Sequence, residues 1–317
     1  MSNLVRLLGR RLIALPIMIV GVTILVFFVM ALSPIDPAYT ALGEFATPQA
    51  LQEFRIQHGL TDPLVIQYWH YLCGMTHGDL GIYGVGETNK VADMVSQALP
   101  VTLSLTFFGL FIAVLIAFPL GIIAAIYRDR WVDQLIRVLS VICIGTPSFW
   151  LASLLVLAFI GSGIPVSGEL PPLTEDFVGW FNRMLLPAIS LAIPVIGQMT
   201  RVVRTSMVEE LDRDYVRTAL GAGVPRSVVI GRNVLRNALI TPVTVLGLRV
   251  GYLMGGAVVI EIIFAIQGMG QVLIKGIQNN WVNLVQGGAL VVAVSFIVVN
   301  IIVDMLYLLI NPRIRSV

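Results

Sequence analysis

Six apolar runs constrain this chain more than any motif: Leu12 to Leu32, Val101 to Ile126, Leu135 to Ile160, Leu185 to Val203, Leu239 to Ile263 and Gly287 to Ile310. Each is about 20 residues or a little longer, enough for a helix to cross roughly 30 Å of hydrocarbon. There the backbone N–H and C=O groups have no water to bond, so a span must satisfy them as a helix. Only 12% of the residues are charged against 57% hydrophobic, about half the charge of a soluble domain. The pattern predicts an all-α polytopic membrane protein with six transmembrane helices. Its first run is longer than the core of a cleaved signal peptide and reads as a retained span.

Charge placement sets the orientation. One side of the predicted bundle holds Arg6, Arg10, Arg11, Arg128, Arg130, Arg137, the seven arginines from Arg201 to Arg236, Arg313 and Arg315. The other side holds only Arg55, Lys90, Arg183 and Lys275. By the positive-inside rule both termini and the segment 212–241 are cytoplasmic. The net charge of +2 gives no reason to expect a nucleic-acid partner.

Outside the membrane, residues 33–99 carry two helix-start signals, Thr47-Pro48 and Asp62-Pro63, and then a glycine-rich turn segment. Ser33-Pro34-Ile35-Asp36-Pro37 reads as the terminator of the first span. Gly81 to Thr88, GIYGVGET, misses the phosphate-binding loop, because Glu87 stands where its lysine belongs. The chain therefore has no nucleotide site of its own. Cys73, Cys143 and the three histidines form neither a metal-ligand pattern nor a catalytic triad. No catalytic, cofactor-binding or metal-binding residue is expected.

Arg249, Glu261 and Asp304 fall inside predicted spans, where ionisable groups are functional candidates. Arg249 is near mid-depth, so it is expected to line a cavity or to pair with Asp304. Prolines 119, 147, 187, 194 and 242 predict kinked helices.

Between two apolar blocks lies DRDYVRTALGAGVPRSVVIGRNVLRNALIT, residues 212–241. Tyr215, Val216, Ala219 and Leu220 fall on one helical face. Acidic residues stand at the helix start, and Gly221 and Gly223 supply stop signals. On these residues alone the helix suits two tasks, resting on lipid headgroups or docking a cytoplasmic motor.

The segment resembles the cytoplasmic loop signature of bacterial ABC importer permeases, EAA-x3-G-x9-I-x-L-P. Arg217, Thr218 and Ala219 stand at EAA, Gly223 at the glycine, Asn233 at I, and Leu235 and Arg236 at L-P. Ala219, Gly223 and Leu235 match. The departures look like the dipeptide/oligopeptide/nickel branch, whose loop reads DY-x-RTA-x3-G and then LRNA. The resemblance extends to Asp36-Pro37, Gly59 to Pro63, Gly78 to Gly81, Pro147 to Trp150 and Asn311 to Arg315.

That resemblance implies a type I ABC importer permease fold. Residues 1–99 would form the first transmembrane helix and an extracytoplasmic loop region. Residues 100–317 would form a five-helix core carrying the coupling loop 207–237. It implies a multi-pass subunit of the bacterial inner membrane that forms half of a path for di- or oligopeptides. The same architecture could import nickel or another small solute, and a self-contained gradient-driven transporter is the alternative of another class. The implied partners are a second homologous permease, two cytoplasmic ATPases carrying ATP and Mg, an extracytoplasmic substrate-binding protein and membrane lipid. Asp214, Tyr215, Val216, Arg217, Thr218, Ala219, Leu220, Gly221 and Gly223 would form the ATPase-coupling helix. Tyr83, Gly84, Glu87 and Lys90 are expected to reach the binding protein.

Overall fold

The computed structural model describes residues 2–34, 36–43, 45–86, 88–168 and 170–310, with the side chains of residues 2–14, 304 and 306–310 excepted. Among the described residues the chain is helical apart from one two-stranded hairpin. It forms two compact units. One comprises Ser2–Thr102 with Gln267–Val298, and the other Leu103–Ile266 with residues 299–310. Residues 267–298 group with the N-terminal part in this division.

In the unit containing Ser2–Thr102, α1 (Ser2–Ala31) packs on α4 (Leu64–Thr76). Phe27 meets the rings of Tyr68 and Tyr71 at 5.3 and 5.8 Å, and Thr23 Oγ1 shares a 2.9 Å hydrogen bond with Tyr68 Oη. Two short helices lie between them, α2 (Pro37–Leu42) and α3 (Pro48–Gln57). Asp36 does more than end the first span. Its carboxylate accepts from Ala38 N at 2.9 Å, capping α2, and it pairs with Arg55 of α3. Thr47 caps α3 as expected, whereas α4 starts one residue later than expected, with Pro63 at the cap. Gln67 ties the preceding turn to the helix, donating to the carbonyls of Leu60 and Asp62.

Strands β1 (Ile82–Tyr83) and β2 (Asn89–Lys90) pair antiparallel before α5 (Val91–Ile126). The stretch 267–286, between the last two apolar runs, contains the helix α13 (Met269–Gln278) ahead of α14 (Val282–Ile310). Asn280, at φ 55°, makes the reversal: Trp281 N bonds to Gly276 O and Asn280 N to Ile277 O. Val91, Val95, Ala98, Met269, Val272 and Leu284 form the buried cluster here.

The unit containing Leu103–Ile266 is built on α8 (Phe177–Leu211), whose neighbours include α6 (Trp131–Gly145), α7 (Ser148–Phe159) and α12 (Ile240–Ile263). Without a water-driven force between helices in lipid, close approach depends on small residues. Gly197 of α8 lies against α6, where an added Cβ would stand 2.5 Å from Ser140 O. Gly121 of α5 lies against Val203, and Gly256 of α12 against Leu191.

Among the described residues, four helices are long and apolar enough to cross a membrane: α5, α8, α12 and α14. The third expected span, Leu135 to Ile160, is broken rather than kinked. Helices α6 and α7 meet at 93°, and counting the pair as one span brings the number among the described residues to five. The cause is Pro147, which forces Thr146 into extended backbone (φ −90°, ψ 111°). The first expected span lies partly outside the described side chains, and its described part, Leu15–Ala31, is a shorter apolar helix.

Candidate functional site

The charged stretch after α8 folds into α9 (Asp214–Gly221). Its amphipathic pattern is used inward. Val216 is 4% exposed and packs with Ala125, Val203, Met207, Val229, Val234 and Ala238, with Tyr215 and Ala219 half-buried beside it. The apolar face therefore anchors α9 to its own chain. Asp214, Arg217, Thr218, Leu220, Gly221 and Gly223 make up the exposed side.

Gly223 ends the helix for a backbone reason. Its φ is +80°, Val224 N bonds to Ala219 O, and Gly223 N bonds to Leu220 O. This is a Schellman stop, with Val224 and Ala219 meeting in the same apolar cluster. Gly221 has no such need: it lies in the helix with open space at its Cβ position. Past Pro225 the chain passes through α10 (Arg226–Val228), a π-type stretch (Val229–Val234) and α11 (Leu235–Ala238) into α12.

Polar contacts fasten α9 to its neighbours. Tyr215 Oη donates to Glu210 Oε2 at 2.9 Å and accepts from Asn237 Nδ2 at 3.5 Å. The DY and LRNA segments of the loop signature thus touch. Burial pushes the Tyr215 hydroxyl above its ordinary pKa, so it stays a donor to Glu210. Arg128, in the turn after α5, bonds Asp212 at 2.8 Å.

Sequence reasoning missed the strongest contact nearby. Asp133, fully buried on α6, accepts from Arg204 of α8 at 2.6 and 2.7 Å and from Asp129 N at 3.0 Å. Asp133 stands just before the apolar run, and Arg204 just after another, so each reads in sequence as a loop charge. The four-residue spacing of Asp129 and Asp133 ahead of an apolar run was the available signal; in the structure Asp129 has φ 63°.

Arg249 opens onto a groove of about 460 Å³ that is also lined by Ile144, Gln198, Arg201, Val202, Thr205, Ser206, Glu209, Thr241 and Val245. Its Nε is buried without a hydrogen-bond partner among the described residues. The side chain of Asp304, its expected partner, lies outside the described ones, as does Glu87 of the β1–β2 tip. Glu261 is fully buried on α12.

At that tip, Tyr83 turns back onto Trp281 at a ring separation of 5.1 Å, and Gly84 is buried at φ 92°. Asn283 Nδ2 donates to Ile82 O and Gly86 N to Ala41 O, so the hairpin is tied down at both ends. Val85, Thr88 and Lys90 form its exposed edge. No group of three or more metal-ligating side chains occurs among the described residues.

Residues 117–316 match the family described as binding-protein-dependent transport system inner membrane component, and residues 4–106 match its N-terminal membrane component. A Brucella abortus protein assigned to a peptide transport system as its permease is 37% identical over 303 residues, covering 95% of this chain and 96% of the relative. A permease assigned to a D,D-dipeptide transport system of Escherichia coli K12 is 36% identical, covering 97% of each chain. The glutathione transport system permease protein of Escherichia coli O6:H1 is 37% identical, covering 96% of this chain and 97% of its own.

Proposed function

The chain belongs to the binding-protein-dependent transport system inner membrane component family, and on that basis we propose that it forms half of the translocation path of an ATP-driven importer of di- and oligopeptides. It is a multi-pass protein of the bacterial inner membrane. The peptide reading is carried by full-length similarity to permeases named for peptide, dipeptide and glutathione systems.

In this reading a second homologous permease completes the path, and an extracytoplasmic binding protein delivers the substrate. Two cytoplasmic ATPases bind ATP and Mg²⁺ and perform all the hydrolysis. Helix α9 is the coupling helix, and its exposed Arg217, Thr218, Leu220 and Gly221 meet the ATPase. The anchoring of Val216 in the permease core supports this division of labour: a motor that moves α9 must also move α8 and the π-type stretch. ATP supplies the difference in affinity between states that a conformational shift requires. The exposed edge of the hairpin, with Lys90, faces the binding protein.

Co-expression of the four kinds of subunit and reconstitution into liposomes tests the reading. Uptake of trialanine that requires ATP, the binding protein and this chain is the expected result. Uptake by this chain alone without ATP, or uptake of nickel with no peptide, would remove it.

A further inference from the structure

Helices α8 and α12 place polar side chains on one wall of the groove described above. Gln198, Arg201, Thr205 and Glu209 recur at helical spacing on α8, and Thr241 and Arg249 face them from α12. Arg249 lies nine residues into α12, about 14 Å along the helix, and Arg201 lies ten residues from the end of α8, about 15 Å. Arg249 thus sits near the middle of its apolar run, where an uncompensated charge is costly, while the exposed Arg201 lies near the cytoplasmic end of its own. Neither forms a hydrogen bond or ion pair among the described residues. Arg249 Nε and Gln198 Oε1 are both buried without partners there. Glu209, on the same groove, is about 12 Å along α8 from Arg201 and pairs with neither.

A structural arginine at such a depth is normally held by acceptors from its own chain, as Arg204 is held by Asp133. Arg249 instead has a buried donor, Nε, and Gln198 a buried acceptor, Oε1, without partners among the described residues, and both side chains line one groove. A peptide's last residue presents the matching pair: a carboxylate that accepts and an amide N–H that donates. Resting on the peptide-import reading, we propose that this groove is a substrate station, in which Arg249, assisted by Arg201, binds the terminal carboxylate and Gln198 Oε1 takes the adjoining amide. Both interactions are lost when the peptide moves on, so the station holds substrate only in passing.

The test uses the complete transporter in liposomes, with trialanine and trialanine amide as probes. Uptake and binding-protein-stimulated ATP hydrolysis are measured on the same preparations. The selectivity of the binding protein is common to all variants and cancels from the comparison. Arg249→Gln is expected to slow trialanine uptake by about 10-fold or more, the scale of a lost charged hydrogen bond. It should also abolish the preference for the free acid over the amide while leaving stimulated hydrolysis in place. Gln198→Leu should slow both probes without changing their ratio. An unchanged preference in Arg249→Gln, or equal slowing of both probes by it, overturns the proposal. Should Arg249→Gln fail to assemble, Arg249→Lys carries the same readout: a KM raised for the acid alone supports the station, and an unaltered KM overturns it. A wild-type complex that moves neither probe overturns the peptide reading itself, and the station with it.

Discussion

Arg204 on α8 grips the fully buried carboxylate of Asp133 on α6 through two hydrogen bonds, Nε to Oδ1 at 2.6 Å and a terminal nitrogen to Oδ2 at 2.7 Å. The pair sits seven residues before the end of α8, where α9 begins to hang. Removing one partner leaves a buried charge without its main counter-ion, which costs about 3–5 kcal/mol, although Arg137 stands 3.7 Å from Asp133 as a weaker second partner. With Arg204 still 19% exposed, the lower end is expected. Asp133→Leu or Arg204→Met should each sharply reduce the thermal stability of the detergent-extracted protein. The double variant should recover most of the loss, since apolar replacement of a whole pair is often neutral. Additive losses in a double-mutant cycle would show that the two residues act independently.

Gly223 separates the folding of the loop from its contact with a motor. Its φ of +80° favours glycine, yet no atom lies within 4 Å of a Cβ built there. Asn and Asp tolerate this backbone region, while a branched side chain does so at about 1–2 kcal/mol or more. Gly223→Asp should therefore insert and fold normally but uncouple uptake from ATP hydrolysis, because its new charge projects from the exposed end of α9. Gly223→Val should lower the amount of folded protein. Wild-type uptake by Gly223→Asp would mean that α9 is not the coupling element.

Tyr215 joins the two halves of the loop signature through Glu210 and Asn237. Tyr215→Phe keeps the ring in its cluster and removes only the hydroxyl, at a cost of about 1–2 kcal/mol for a hydrogen bond to a charged acceptor. The effect should be local. Amide hydrogen exchange in α9 should speed up by about 5- to 30-fold while exchange in α8 stays slow. Unchanged exchange across residues 214–224 would show that the apolar contacts of Val216 suffice to hold the helix.

Much of this was legible because membrane spans and caps have local causes. Runs near Val101, Leu185 and Leu239 became α5, α8 and α12, and Thr47-Pro48 opened α3 as its residue types require. The loop helix was visible from Tyr215, Val216 and Ala219, but periodicity states only that a face is apolar, not what covers it. That face turned out to be covered by Val203, Met207 and Val234 of the same chain. Asp133 and Arg204 are 71 residues apart in sequence, and no local pattern joins them. Helix α13 escaped because Gln267 to Gln286 is too short and too polar to read as a span, although Asn280 supplies a good helix stop. Pro147 announced a kink, and the extended backbone of Thr146 before it made the bend a 93° break.

Helix spacing around α8 gives a last prediction that does not depend on any partner. At Gly197 a methyl group would meet Ser140 O at 2.5 Å and Cys143 Cβ at 2.8 Å. Backbone oxygen cannot swing aside as a flexible side chain can, so α6 would have to move away from α8. Overpacking of this kind costs about 1–3 kcal/mol, and it would also lengthen the nearby Asp133–Arg204 contact. Gly231, by contrast, is exposed in the π-type stretch with nothing within 4 Å of its Cβ position. Alanine there should be neutral or stabilise by a few tenths of a kcal/mol up to about 1 kcal/mol, through the lower entropy of the unfolded chain. Thermal unfolding of Gly197→Ala and Gly231→Ala in the same detergent should therefore shift in opposite directions, or downward for Gly197→Ala alone. Equal, small shifts would mean that α6 and α8 can separate freely, and the close packing assigned to Gly197 would be wrong.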